Sequence, residues 1–144
     1  MDKAINKVGG IILKENLLSD SELHICNELL IHNSSYSNII IAVNEWRDIA
    51  IKIKHGYRLG IEDYENDISI RDILERILTM VSTVVKDKLM SKISDIDKMF
   101  YDSTTKISKP LIEGETSEWW YRIPKILKEE LKMDLIECGI IGIS

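Results

Sequence analysis

No stretch of this chain approaches the roughly 18 consecutive apolar residues that a membrane-spanning helix needs, so no membrane partner is expected. Cysteine is scarce. Cys26 and Cys138 stand far apart, with no C-x-x-C and no framework spacing, which argues against a disulfide scaffold or a zinc site and for a reducing compartment. The opening Met-Asp-Lys is not followed by a basic region and a long apolar run, so no signal peptide is expected and the chain reads as cytoplasmic. Positive charge is also in short supply: 19 Lys and Arg against 24 Asp and Glu leave a net charge of -5. That is the wrong sign for a protein whose main task is gripping phosphate backbones, and nucleic acid is not an expected partner. The same balance suits a basic protein partner.

The local signatures of catalysis are missing as well. There is no G-x-x-x-x-G-K or G-x-G-x-x-G to cradle phosphates and no G-x-S-x-G elbow to expose a nucleophile. His24, His32 and His55 include no pair at i,i+4 and no H-E-x-x-H, so no two imidazoles share a helical face. Arg47 and His55 are separated by seven residues and do not match the Arg-x4-6-His pattern of a group of helical nucleases. Asp63, Glu65 and Asp67 have the alternate spacing of a calcium loop, but Ile68 stands where that loop turns on Gly, and Leu74 where it needs a bidentate Glu. No catalytic residue, no cofactor and no metal ligand is therefore assigned, and the reading is not that of an enzyme.

What is present is globular composition, 44% hydrophobic and 30% charged over 144 residues, enough for one domain with its own core. From Ser69 to about residue 107, apolar residues from Ile70 to Phe100 recur at steps of three and four. The spacing predicts one long central helix, with a break near Lys92 to Asp95 as the alternative. Ile39, Val43, Trp46, Ala50, Ile53 and Tyr57 predict a second helix over residues 36–58, stopped by Gly60. Ser19 followed by Glu22 predicts a helix start, with the helix running to about His32. Residues 4–18, interrupted by Gly9-Gly10, read as a short or kinked helix with a strand as rival. Pro124 is suited to the first turn of a last helix over residues 124–137. The expected architecture is all-α: a single-domain bundle of about five helices, with an acidic linker over residues 61–68, a mobile loop over 108–118 and an apolar extended tail.

Trp119-Trp120-Tyr121 is the stretch that asks for a special account. Three consecutive large aromatics point in different directions on a helix or a strand, so at least one is expected near the surface, with burial beneath the neighbouring loop as the alternative. Exposed Trp, Tyr and Arg are the side chains that most often carry binding energy at interfaces.

Trp46-Arg47-Asp48, then Ile96-Asp97-Lys98-Met99-Phe100 with Thr104 close behind, then Trp119-Trp120-Tyr121-Arg122-Ile123-Pro124, together resemble small helical immunity proteins of bacterial polymorphic and contact-dependent growth inhibition toxin systems. The resemblance runs from Trp46 onward, about two thirds of the chain. It implies a cytoplasmic inhibitor that binds one cognate toxin domain, often a nuclease; the chain itself is expected to be a monomer or weak homodimer. A nuclease must be basic to hold phosphates, and an acidic partner gains association rate from steering charges. The partner-binding residues expected on this reading are Glu62, Asp63, Tyr64, Glu65, Asp67, Glu115, Glu118, Trp119, Trp120 and Arg122. The alternative is a small helical enzyme or nucleotide-processing domain with a polar pocket collecting Arg47, Asp48, His55 and Asp72 between helices.

Overall fold

The computed structural model describes residues 17–142. In chain order these form α1 (Asp20–Asn33), α2 (Ile39–His55), α3 (Ile61–Met80), α4 (Thr83–Asp102), β1 (Thr104–Lys106), a 3-10 helix (Glu118–Tyr121), β2 (Arg122–Pro124) and α5 (Glu129–Glu137). The all-α expectation holds, with one two-stranded antiparallel sheet added to it. The segment expected over residues 4–18 lies almost wholly outside the described residues.

The long central helix is instead two helices. The first, α3, starts eight residues earlier than the spacing suggested, at Ile61, and ends at Met80; α4 then begins at Thr83. Ser82 makes the new start: its side-chain oxygen accepts from the Val85 amide at 3.3 Å and its carbonyl accepts from Lys86 at 2.8 Å. Those are the bonds of an N-cap. Buried positions before the break (Ile70, Leu74, Ile77) and after it (Val85, Leu89, Ile93) keep steps of three and four, so periodicity alone runs straight through. Two further boundaries move. Helix α2 ends at His55 because Gly56 takes a φ of +117°, a conformation open to glycine, so the chain leaves the helix before Gly60 is reached. Pro124 lies in β2 opposite Thr104, not in the first turn of α5, which begins at Glu129.

The described chain packs as two compact units, one from residues 17–48 and 70–96, the other from residues 49–69 and 97–142. In the first, Ser19 and Glu22 form the expected capping box, each satisfying the other's backbone amide, at 3.1 and 2.8 Å. The Glu22 carboxylate also accepts from Lys88 of α4 at 2.8 Å. Asn27 of α1 accepts from the Ile39 amide at 2.8 Å, and Asn38 accepts from Ile40 and Ile41, so two asparagines supply the acceptors that the first turn of α2 lacks. Cys26, Leu30, Ile39, Val43 and Trp46 are fully buried in this unit. Arg71, also buried, pairs with Glu75 at 3.0 Å.

The second unit is built on aromatics. Tyr57 and Tyr64 meet edge to face with ring centres 5.2 Å apart, and both are buried together with Phe100, Trp119, Trp120, Leu131 and Leu135. Strand β1 pairs with β2 in the register Thr104 to Pro124 and Lys106 to Arg122. The intervening residues 107–117 contain no helix or strand and are pinned by the amides of Ile107 and Leu111, which donate to the carbonyls of Tyr121 and Trp120, at 2.8 Å each. The apolar tail returns to α5: the amides of Ile140 and Ile141 both donate to the Leu135 carbonyl.

Candidate partner-binding surface

The acidic linker of the sequence reading is the first two turns of α3, and a second element meets it there. Asp134 of α5 accepts from the Ile61 amide at 2.9 Å, so a carboxylate 73 residues away in sequence caps the helix start in place of a local Ser, Thr or Asp. Glu130, one turn back on α5, reaches the same place. A methyl group on Gly60 would lie 2.7 Å from an oxygen of each carboxylate, and glycine is therefore what allows both to approach the backbone. Glu62 and Asp63 follow in the first turn of α3, and Glu137 lies one further turn along α5. Together these side chains line a depression of about 230 Å³ that holds five carboxylates and no cationic side chain. The partial positive charge at the α3 N-terminus offsets part of the mutual repulsion.

Ile61 and Cys138 also border a second depression, of about 470 Å³, which adds Glu65, Lys109, Pro110, Leu111, Glu113 and Ile140. Partial burial, and after it the charge of Glu62, raises the pKa of Glu65 above the ordinary carboxylate value. The surface thus grades from purely acidic to mixed apolar and charged.

Of the residues expected to bind a partner, Glu62 and Asp63 are exposed and face this surface, and Glu65 is half-buried at its edge. The others are placed differently. Tyr64 is fully buried, with its hydroxyl donating to the Arg122 carbonyl at 2.9 Å, and belongs to the core. Asp67 accepts from the Tyr57 hydroxyl at 2.6 Å. Trp119 and Trp120 are 8% and 1% exposed, which corrects the expectation that they offer contact area; the half-buried member of the run is Tyr121. A 3-10 turn followed at once by a strand redirects the side chains so that both indoles turn inward, a course that neither a helix nor a strand would give. Arg122 is held internally too. Its guanidinium donates to the side chain and carbonyl of Thr104, at 2.8 and 3.0 Å, and to the Tyr101 carbonyl at 3.3 Å, and lies 5.1 Å from the Tyr101 ring centre. It closes the C-terminal end of α4, where a cation is favoured by the helix dipole. Glu118 is exposed, beside a separate depression with Lys106, Thr116 and Tyr121, and Glu115 is half-buried.

Glu130, Asp134 and Glu137 were missed by sequence reasoning. Their steps of four and three put them on one face of a helix, so the stripe was visible as spacing; what was not visible is that α5 sets this face against the start of α3. No protein-family model matches the chain, and comparison with curated proteins and with solved structures returns no match to either.

Proposed function

We propose that this chain is a protein-binding module that neutralises a basic partner in the cytoplasm, acting as an immunity protein toward a nuclease-type toxin domain. The observation that carries the reading is the group of five carboxylates, Glu62, Asp63, Glu130, Asp134 and Glu137, gathered from two elements around one helix start with no cation among them. Lysines and arginines that a nuclease keeps for phosphate would find in this surface a charge arrangement of the opposite sign, with apolar anchorage next to it at Ile61, Leu111 and Ile140. Binding there leaves the buried tryptophans in their structural role.

The test is co-expression with candidate nuclease-type toxin domains, co-purification, and association kinetics of any pair so found at two salt concentrations. Reversing two exposed charges, Glu62→Lys with Asp63→Lys, should slow association about tenfold or more at low salt, and by much less at high salt. Failure of every candidate to copurify, or a complex whose rates ignore both the reversal and the salt, would overturn the proposal.

A further inference from the structure

The second unit carries another concavity, of opposite electrostatic character. The last turn of α2 and the residues after it enclose a groove of about 440 Å³ lined by Ile51, Tyr57 and Leu59, with Lys52, His55 and Arg58 around it and no carboxylate among the lining residues. Its volume falls within the roughly 300–1,000 Å³ range typical of ligand clefts. Leu59 is 45% exposed despite its size and apolarity.

Cations near a helix C-terminus are favoured by its dipole, and that accounts for Lys52 in the last turn of α2. It does not account for Arg58, which lies beyond the helix, or for Lys128, which comes from the segment leading into α5. Lys128 lies against Gly56, where a methyl group would be 2.6 Å from its Cε. Lys52 and Arg58 are exposed and take part in no hydrogen bond or ion pair with a described residue. An apolar floor is thus flanked by two positive charges that have no hydrogen-bonded or ion-paired partner among the described residues.

We propose that this groove binds a small amphiphilic anion, a body of apolar carbon ending in a carboxylate or sulfonate, with the apolar part over Leu59 and Ile51 and the anionic end toward Arg58 and Lys52. The site shares no residue with the acidic surface, so either can fail without the other. The probe is 1-anilinonaphthalene-8-sulfonate, titrated into the whole chain and followed by its fluorescence. Saturable one-site enhancement is expected, with displacement by decanoate and about tenfold weaker displacement by decan-1-ol, which has a chain of the same length but no charge. Arg58→Glu and Leu59→Ser should each weaken binding about fivefold or more; both positions are exposed, so the far-UV circular dichroism should be unchanged, and Lys106→Glu, away from the groove, should leave binding unaltered. Enhancement that does not saturate, affinity indifferent to both groove substitutions, equal displacement by the alcohol, or displacement by an acidic amphipathic peptide but not by decanoate would each overturn the proposal, the last by assigning the groove to a macromolecule.

Discussion

Replacing Asp134 by Ala sets two effects of the acidic surface against each other. The substitution deprives the Ile61 amide of its acceptor at 2.9 Å, and loss of a capping side chain costs about 1 kcal/mol, with a range of roughly 0.5–2. Removing a negative charge from the N-terminus of α3 costs roughly 0.3–1 kcal/mol more. Against this, one of five neighbouring carboxylates is gone, and relief of their repulsion, largely screened at physiological salt, returns a similar few tenths. The cap should win. Net destabilisation of about 1 kcal/mol is expected, corresponding to a fall of about 3 °C in Tm for a chain of this size.

Asp134→Asn separates the terms, because the amide keeps an acceptor oxygen while shedding the charge. Urea denaturation followed by tryptophan fluorescence should place the Asp134→Asn variant within about 0.5 kcal/mol of the wild type and the Asp134→Ala variant clearly below both. Gly60→Ala acts on the same bond from the other side, since the new methyl must push the Asp134 and Glu130 carboxylates away. Its effect should shrink by about 0.5 kcal/mol or more in the Asp134→Ala background, because the cap it disturbs is already lost. If the Asp134→Ala variant were as stable as the wild type, repulsion would offset the cap, and if the Asn and Ala variants were equally destabilised, the charge at the helix start and not the hydrogen bond would govern; either result would refute the reasoning.

Other outcomes follow from the buried groups. A thiol reagent at pH 8 should modify Cys138 at once and Cys26 only on unfolding, because Cys26 is fully buried and burial, with the charge of Glu22 as a smaller cause, pushes its pKa up to about 11; two fast thiols would contradict that. The hydrogen bond from Lys88, and then that from the Ser19 amide, hold the Glu22 carboxyl below the ordinary carboxylate value. Its contribution to stability is therefore complete above the unfolded value near ~4.3 and is lost as pH falls through the lowered folded value. Lys88→Gln should raise the folded value, seen as an upward-shifted NMR titration of Glu22. Trp120→Ala should cost about 3–5 kcal/mol in urea denaturation, and a cost under 1 kcal/mol would be inconsistent with a 1%-exposed indole.

The parts of the fold legible in the sequence were those set by local chemistry or by one buried stripe. The Ser19 and Glu22 pair gave the start of α1 to within a residue because both partners of the capping box lie within one turn. The stripe from Ile39 to Ile53 placed α2 because its face is buried along its length. Periodicity could not see the gap between α3 and α4, since two consecutive residues outside a helix barely disturb a pattern of threes and fours. The Ser82 cap was the signal available there. The early start of α3 was invisible for a different reason: its cap is Asp134, and nothing local marks a helix whose first amide is satisfied from 73 residues away.

The candidate surface divides along the same line. Glu62 and Asp63 were readable as an acidic group before a strong apolar stripe, yet composition could not say whether that group was a linker or a helix. Once it is helical, residues at 62, 63, 65 and 67 fan around the axis: Asp67 turns to the Tyr57 hydroxyl, while Glu62 and Asp63 stay outside. The aromatic run failed as an interface for the converse reason. Its residue types were right for binding, but its 3-10 turn carries both indoles into the core, and Arg122 donates to Thr104 of β1 and to the Tyr101 carbonyl at the end of α4. Residue type proposes a surface, and backbone course decides which side of it faces water. The charges supplied by α5 enlarge the acidic surface even as the tryptophans leave it, so what a basic partner would meet is a field of carboxylates gathered at a helix start, with apolar anchorage from Ile61 and Leu111 in place of the indoles.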